Sequence, residues 1–341
     1  MGKLKIAIIG CGRISVVYKE AFKNLSDRIE VRFAVDKVLD RAESFAKEFE
    51  QCSFSDRIED LIKEDLDVVH ICTPHFLHRE QIIKCLDKGI HVLTEKPLAI
   101  TLQDADAIIE AANSSRKKFG VIFQNRYIEG VVKAKQLIDN GEMGKVLGAW
   151  SSLTWWRPPS YYECDWKGSW EKEGGGVLID QAIHSIDLVQ HLVGSKVKWI
   201  KGQIDNRVLK SVEVEDVASA AIGFENGCIY SLFATNYYTK SSPIQIEIMC
   251  ENGIINIKGF DVTIEKDGET TTIEHNDKIE SGGQGYWGIY HYYQIKEFYD
   301  NVLEDTPVKV TGYEGKKALE IVLGVYESAK KSIKLEVSNQ E

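Results

Sequence analysis

The sequence lacks any apolar run approaching the roughly 18 to 20 residues that a membrane-spanning helix needs. It also lacks a basic surplus. Its 52 acidic residues outnumber 42 Lys and Arg, for a net charge of -10. That balance disfavours nucleic acid or an anionic membrane as partner, since both need a basic footprint. There is no C-x-x-C pair. Seven scattered cysteines, an odd number, read as free thiols of a reducing compartment. The start "MGKLKIAIIG" is too short and turns polar too soon for a signal peptide, and Ile6 stands where a myristoylation motif needs Ser or Thr. The expected location, by elimination, is the cytoplasm. No low-complexity linker appears, and no repeat beyond two Glu-Asn-Gly turns. What is present is 341 residues with 43% hydrophobic and 28% charged side chains, enough for two domains around packed cores.

The first half alternates short apolar runs with helical patterns. Strands are expected at "KLKIAIIG", "IEVRFAVD" (29–36), "DLDVVHICTP" (65–74), "IHVLTEKP" (90–97) and "GVIFQNRY" (120–127). Helices are expected from Arg13 to about Leu25, over "LDRAESFAKEFE", over "HREQIIKCLDKG" closed by Gly89, and from near Thr101. Such alternation predicts an α/β domain with a parallel sheet, whose ligands bind beyond the carboxyl ends of the strands.

The first strand ends in "GCGRIS". Gly10 permits a tight turn, and Gly12 lets backbone approach a pyrophosphate seated on the following helix N-terminus. That phosphate would lie over Gly10 to Ile14, Arg13 included. Ser15 stands where a third Gly or Ala is usual. Asp36 ends the next strand, where a ribose-binding carboxylate belongs. It would accept bonds from ribose hydroxyls and repel a 2′-phosphate, favouring NAD over NADP, although Lys37 and Arg41 lie close enough to soften that preference. The competing reading is a plain strand-turn-helix with Asp36 facing solvent. Cys11 reads as small filler.

The second half pairs strands more than it alternates them. "FENGCIYSLF", "CENGIINI" and "EKDGETTTI" each place a tight-turn dipeptide between runs of strand-forming residues. An antiparallel sheet is expected from about 145 to 275, interrupted by a helix at about 176–193 that Gly194 ends. Helices at 288–304 and 313–331 follow. Five of the seven tryptophans, Trp150, Trp155, Trp156, Trp166 and Trp170, fall between 150 and 170 with Tyr161 and Tyr162. Two readings stay open for this stretch: a subunit interface or core edge, and a loop laying ring faces against a sugar or base. Arg157 within it suits a phosphate or carboxylate.

The segment "GGGVLIDQAIHSIDLVQHL" (174–192) raises its own question. In an α-helix Asp180, His184, Asp187 and His191 share one stripe, and Ile179, Ile183 and Ile186 share the neighbouring one. A metal site is disfavoured, because no Cys/His cluster supports it.

The glycine loop, Thr73-Pro74, "TEKP" (94–97), "GGGVLIDQAIHSIDL" and "EGKKALEIVLGVYESA" together resemble the glucose-fructose oxidoreductase, inositol dehydrogenase and MocA-like (Gfo/Idh/MocA) family over nearly the whole chain. The resemblance implies an N-terminal Rossmann domain, placed at 1–125, and a C-terminal α+β domain at 126–341. That second domain would carry an open antiparallel sheet that forms a homo-oligomer, dimer or tetramer. It implies Lys96 near the substrate hydroxyl and nicotinamide, and Glu95, Thr73 and Pro74 at the cofactor. His184 would be the acid/base and Asp180 a substrate contact. The Lys96–Pro97 bond is expected to be cis. A narrower likeness, carried by "WWRPPSYYECDWKGSWEKEGGGVLIDQAIHSIDL" and "FQNRY" (123–127), is to UDP-N-acetylglucosaminuronate 3-dehydrogenases, which more often carry Asn at the Asp180 position. It implies substrate contacts from Asn125, Arg126, Tyr127, Arg157, Tyr161 and Gln181.

Oxidising a secondary alcohol needs a hydride acceptor and a base. A neutral imidazole takes the proton near neutral pH, and a cation steadies the developing alkoxide. His184 and Lys96 would supply these from the two domains, with the cleft between domains as the site, Asp187 as a structural hydrogen-bonding residue and His191 as an ordinary polar one. The glycines at 174–176 would let backbone approach the substrate. Thr73 can alternatively cap the next helix, and His78 reads as solvent-facing. The expected activity is hydride transfer between NAD and a sugar alcohol, at C3 of a UDP-N-acetyl sugar uronic acid. The alternatives are a free sugar or inositol as substrate, a glycosidase using transient oxidation by bound NAD, and a non-catalytic dinucleotide sensor.

Overall fold

Five of the six residues of β1 (Leu4–Ile9) are buried, without polar alternation, as in a strand covered on both faces. In the computed structural model, which describes residues 2–275 and 288–337, this strand lies inside a six-stranded parallel sheet. The elements run α1 (Ser15–Asn24), β2 (Ile29–Val35), α2 (Leu39–Ala46), β3 (Ser53–Ser55), α3 (Ile58–Leu61), β4 (Val68–Ile71), α4 (His78–Asp87), β5 (His91–Thr94), α5 (Leu102–Ser115) and β6 (Phe119–Val121). The strand order is β3-β2-β1-β4-β5-β6. The direction of winding reverses beside β1, which creates a crevice beyond the carboxyl ends of β1 and β4.

Two details depart from the sequence reading. The three-residue β3, with two residues exposed, is too short and polar to be read as a strand. The strand expected at 120–127 stops at Val121. The Phe123 N–H donates to the Gln294 side chain at 3.0 Å, and Gln294 donates back to the Val121 carbonyl at 2.8 Å, so the backbone leaves the ladder. Gln124–Tyr127 then forms a 3-10 turn.

The chain divides into two units, 1–124 with 277–316, and 125–276 with 317–341. The sequence predicts one domain over all of 126–341. Yet the helix Ile289–Leu303 belongs with the first unit, where it packs on α1 and buries Ile295, Phe298 and Tyr299 among Tyr18, Phe22 and Ile8. Each such large apolar side chain stabilises the fold by about 1.5–3 kcal/mol. A returning segment of this kind carries no local sign of where it docks.

The second unit holds α6 (Glu129–Asp139), β7 (Val146–Thr154), α7 (Ile183–Val193), β8 (Val197–Asp205), β9 (Val217–Phe224), β10 (Ile229–Thr235), β11 (Gln245–Cys250), β12 (Gly253–Lys258), β13 (Asp261–Lys266) and β14 (Glu269–Ile273). After α8 (the helix 289–303), α9 (Gly312–Lys331) and β15 (Leu335–Glu336) close the chain. Nine strands form one sheet in the order β14-β13-β12-β11-β7-β10-β9-β8-β15. The three expected hairpins pair in register, and among the described residues β7 with β10 is the single parallel pair of this sheet, so it is mixed rather than wholly antiparallel. One face of β7, β10 and β11 is buried through Ala149, Leu153, Leu232, Ile246 and Ile248, against which α7 packs. The opposite face exposes Trp150, Ile229, Phe233 and Met249. Among the described residues, no helix is long and apolar enough to cross a membrane.

Candidate active site

The glycine loop is built as its residue types require. Gly10 has φ +95, and a Cβ there would stand 2.6 Å from the Cys72 carbonyl, so both conformation and crowding demand glycine. Gly12 differs, because a Cβ on it would meet no atom of the described residues within 4 Å. Packing among the described residues therefore does not require glycine at 12. No side chain caps the start of α1, and its first turn carries no acid, so its amides suit a pyrophosphate. Ser15 replaces the usual third glycine without cost: it is buried, and its hydroxyl donates to the Gly12 carbonyl at 2.7 Å. Asp36 does not face solvent. Its carboxylate accepts from the Cys11 N–H and the Val38 N–H, both at 2.9 Å, which ties the strand end to the glycine loop and leaves lone pairs for further donors. Cys11 is buried, and burial pushes its thiol up to about 12, in keeping with filler.

At the ends of β4 and β5, Thr73-Pro74 and Glu95-Lys96-Pro97 are linked by His78. One ring nitrogen lies 2.8 Å from the Pro97 carbonyl and the other 3.0 Å from the Thr73 carbonyl. His78 is fully buried, not solvent-facing as the helical pattern suggested, because it closes two loops that sequence separates. Burial pushes its pKa down, and a neutral ring donates to one of the two carbonyls at a time. Thr73 does not cap α4 but donates to Gln81 at 2.6 Å. Lys96 is half-buried, and the Lys96–Pro97 bond is cis. Glu95 turns into the core of the unit. It accepts from Tyr18 at 2.9 Å and lies 3.5 Å from His291, so it anchors the strand end that carries Lys96. Burial pushes its pKa up, but the bond and charge of His291, the charge of Lys96 and the Tyr18 hydroxyl outweigh this and hold it below the usual range. Tyr18 and His291 were not found from the sequence, where no spacing joins them to Glu95.

In the second unit the glycine-led helix opens with a π-helical turn, Leu178–Ala182, before α7 begins. The single α-helical stripe expected for Asp180 and His184 is therefore broken at the site, where π turns are frequent. Ile179, Ile183 and Ile186 are fully buried, Asp180 is nearly so, and His184 is half-buried one turn later. Three donors converge on one Asp180 oxygen: the Tyr161 hydroxyl at 2.6 Å, the Lys167 ammonium at 2.8 Å and the Gln181 amide at 2.6 Å. Lys167 also bonds Glu173 at 3.1 Å and sits over the rings of Trp166 and Tyr161. Burial works against its charge, but Asp180, Tyr161 and Glu173 raise its pKa well above the usual value. Burial likewise pushes Glu173 up to about 7 despite Lys167. Lys167 was missed in the sequence; the only signal was a lysine set between aromatics in "CDWKGSW".

Arg126, expected at the substrate, forms an ion pair with Asp187. Its Nε and Nη2 bond both oxygens of Asp187 at 2.9 and 2.6 Å in a buried pair, which also gives Asp187 its structural role. Asn125 and Tyr127 flank it, half-buried on the same turn. Arg157 stacks between the Trp155 and Tyr161 rings at 4.6 and 5.1 Å. The aromatic loop is held internally: Trp155 donates to the Ser242 carbonyl, Asn236 donates to the Tyr162 hydroxyl and Trp170 donates to the Glu213 carbonyl. Of the glycines expected to admit substrate, Gly175 and Gly176 face protein instead. A Cβ on Gly175 would meet the Tyr326 hydroxyl at 2.1 Å and one on Gly176 the Glu215 carbonyl oxygen at 2.0 Å, so protein atoms fill that space.

Residues 4–123 match the model of the oxidoreductase family with an NAD-binding Rossmann fold, and residues 131–256 match the GFO/IDH/MocA C-terminal domain. Myo-inositol 2-dehydrogenase of Thermotoga maritima is 26% identical, over 98% of this chain and 99% of its own. The WlbA dehydrogenase of Bordetella pertussis, solved with NADH and UDP-GlcNAcA, superposes with a TM-score of 0.86 at 25% identity, over 99% of this chain and 100% of its own. Levoglucosan dehydrogenase, solved with NADH and levoglucosan, shares the fold at a TM-score of 0.89 and 22% identity, over 99% of this chain and 100% of its own. The chain belongs to the Gfo/Idh/MocA family and is an NAD-binding oxidoreductase of the sugar and inositol dehydrogenase kind.

Proposed function

We propose that the protein oxidises, or in reverse reduces, a secondary alcohol of a sugar, at C3 of a UDP-N-acetyl sugar uronic acid. The first unit would bind NAD through Gly10, Gly12, Arg13, Ile14, Asp36, Thr73 and Pro74, and the second would bind the sugar. NAD, when bound, accepts the hydride. His184 takes the hydroxyl proton as a neutral imidazole and returns it in the reverse direction. The Lys96 ammonium stabilises the developing alkoxide. Asp180, oriented by Tyr161, Lys167 and Gln181, accepts a bond from a neighbouring sugar hydroxyl, and Arg157 on its aromatic stack meets an anionic group of the substrate. The observation that carries this reading is the Asp180 cluster at the π turn, with His184 one turn beyond it.

The full-length likeness to an inositol dehydrogenase supports a second reading, a free inositol or sugar as substrate. The two separate in a screen of NAD reduction against UDP-sugar uronic acids, inositols and simple sugars. Reduction by inositols alone would overturn the nucleotide-sugar assignment. Tightly retained NAD with sugar release and no net NADH would mark a glycosidase. The exposed Trp150, Ile229, Phe233 and Met249 further support a homo-oligomer, dimer or tetramer, through that sheet face, since such an apolar face is ordinarily covered. Sedimentation showing only monomer at micromolar concentration would contradict it.

A further inference from the structure

An α-helix begins with four backbone N–H groups that have no partner within the helix. In the glycine-led helix these belong to Gly176, Val177, Leu178 and Ile179. Glu215, the residue just before Asp216 at the head of β9, satisfies three of them. Its carboxylate accepts from the Gly176 N–H at 2.8 Å and the Leu178 N–H at 3.0 Å, and its backbone carbonyl accepts from the Val177 N–H at 3.2 Å. The Tyr326 hydroxyl donates to the same Glu215 carboxylate at 2.8 Å. The bare glycines make room for this arrangement, because a Cβ on Gly175 would strike Tyr326 and one on Gly176 would strike Glu215. Trp170 packs edge-on against the Tyr326 ring at 5.1 Å and fixes it from the aromatic loop. A carboxylate with three donors and no local sequence relation to the helix is a costly way to cap it, when a Ser or Asp at the helix start would do. What the distant cap adds is orientation: it fixes the start of the helix to β9 and α9 at once.

We infer that Glu215 and Tyr326 are positioning residues that hold the π turn, and with it Asp180 and His184, in the geometry for proton transfer. The inference rests on the role of His184 proposed above, and its test separates the two. Both residues are distant in sequence from the helix they hold, and the Glu215 carboxylate bonds its backbone amides and the Tyr326 hydroxyl. Their loss therefore acts on the rate of the chemical step rather than on cofactor binding.

The variants are Glu215→Gln, which replaces one acceptor oxygen with a donor facing the backbone amides, and the milder Tyr326→Phe, which keeps the ring. Two measurements decide. Amide hydrogen exchange across residues 176–184 of the full chain should accelerate in both variants while exchange across β1 to β6 stays unchanged. Turnover, with NAD and either myo-inositol or UDP-N-acetylglucosaminuronate, should show kcat lowered by roughly tenfold in Glu215→Gln, with the KM for NAD unaltered. In a His184→Ala background the same Glu215→Gln change should cost less than about threefold, since it acts through His184. Unchanged exchange in both variants overturns the anchor, as does an equal loss with and without His184. If His184→Ala alone keeps full turnover, the catalytic role of His184 falls, and the exchange measurement still decides whether the anchor exists.

Discussion

Two helices in this molecule open behind glycines, and they use their N-termini in opposite ways. At α1 the glycines leave the first amides without a side-chain cap, and Gly12 has space where a side chain would stand. At 176–178 the initial amides are taken by Glu215, and the space beside Gly175 and Gly176 is filled by Tyr326 and Glu215. The first arrangement suits an anionic ligand on the helix dipole. The second gives the dipole an internal carboxylate and presents the side chains of the following turns instead. A glycine-rich approach to a helix is therefore not one signal but two, and only the neighbours that pack against the glycines tell them apart.

The sharpest way to break this contrast is alanine at one glycine of each pair. Gly176→Ala places a methyl 2.0 Å from a backbone oxygen that cannot rotate away, and should destabilise by about 3 kcal/mol or more in thermal or urea unfolding. Gly12→Ala meets nothing and should change stability by less than about 1 kcal/mol, yet weaken NAD binding by roughly tenfold or more in calorimetry. Equal stability losses in the two variants would erase the distinction. A comparable effect is expected from Arg126→Met, which strands the buried Asp187 carboxylate and should cost about 3–5 kcal/mol in the same unfolding measurements.

A pH titration of stability sharpens the difference between the carboxylates behind the two site segments. Burial pushes Glu215 up from 4.5 to about 7, because its donors are neutral amides and a phenol, whereas His291, Lys96 and Tyr18 hold Glu95 below the usual range against burial. A raised folded pKa contributes stability at low pH that is lost as pH climbs from about 4.5 through 7. A lowered one contributes stability above the ordinary value that is lost as pH falls through the folded pKa. The stability of the wild type relative to Glu215→Gln should thus decline by on the order of 3 kcal/mol across the first interval, the slope of Glu173 cancelling in the difference. The corresponding comparison for Glu95→Gln should slope the opposite way, in the more acidic range. A flat Glu215 difference would contradict the buried anchor.

Much of the architecture was legible because it is local. Uninterrupted apolar runs marked β1, β2, β4 and β5, turn dipeptides marked the three hairpins, and Thr101 marked the start of α5, whose Asp104 N–H it accepts. What escaped depends on partners far apart in the chain. His78 looked exposed because its two carbonyl partners lie in different loops. Glu95 was assigned to the cofactor by its motif, but Tyr18 and His291 draw its side chain inward. Lys167, Glu215 and Tyr326 sit in segments with no motif of their own. The π turn was invisible because its residues are as apolar and helix-compatible as those of an ordinary turn.

A smaller effect concerns cofactor choice. Asp36→Asn keeps an acceptor for the loop amides but removes the charge that opposes a 2′-phosphate, so NADP affinity should rise relative to NAD by roughly tenfold, about 1.4 kcal/mol. Calorimetry of both cofactors on the wild type should first show NAD bound more tightly, and the reverse order would remove the selectivity role given to Asp36.

The most direct test of the proposed chemistry is the turnover of His184→Ala against its NAD affinity. With the alcohol that reduces NAD in the substrate screen, kcat should fall by roughly two to four orders of magnitude, the range for loss of a general base. The dissociation constant for NAD should stay within about twofold, because His184 lies in the second unit and the NAD-binding motif in the first. Undiminished turnover in this variant would contradict the proton-transfer role and leave only the dinucleotide-binding fold.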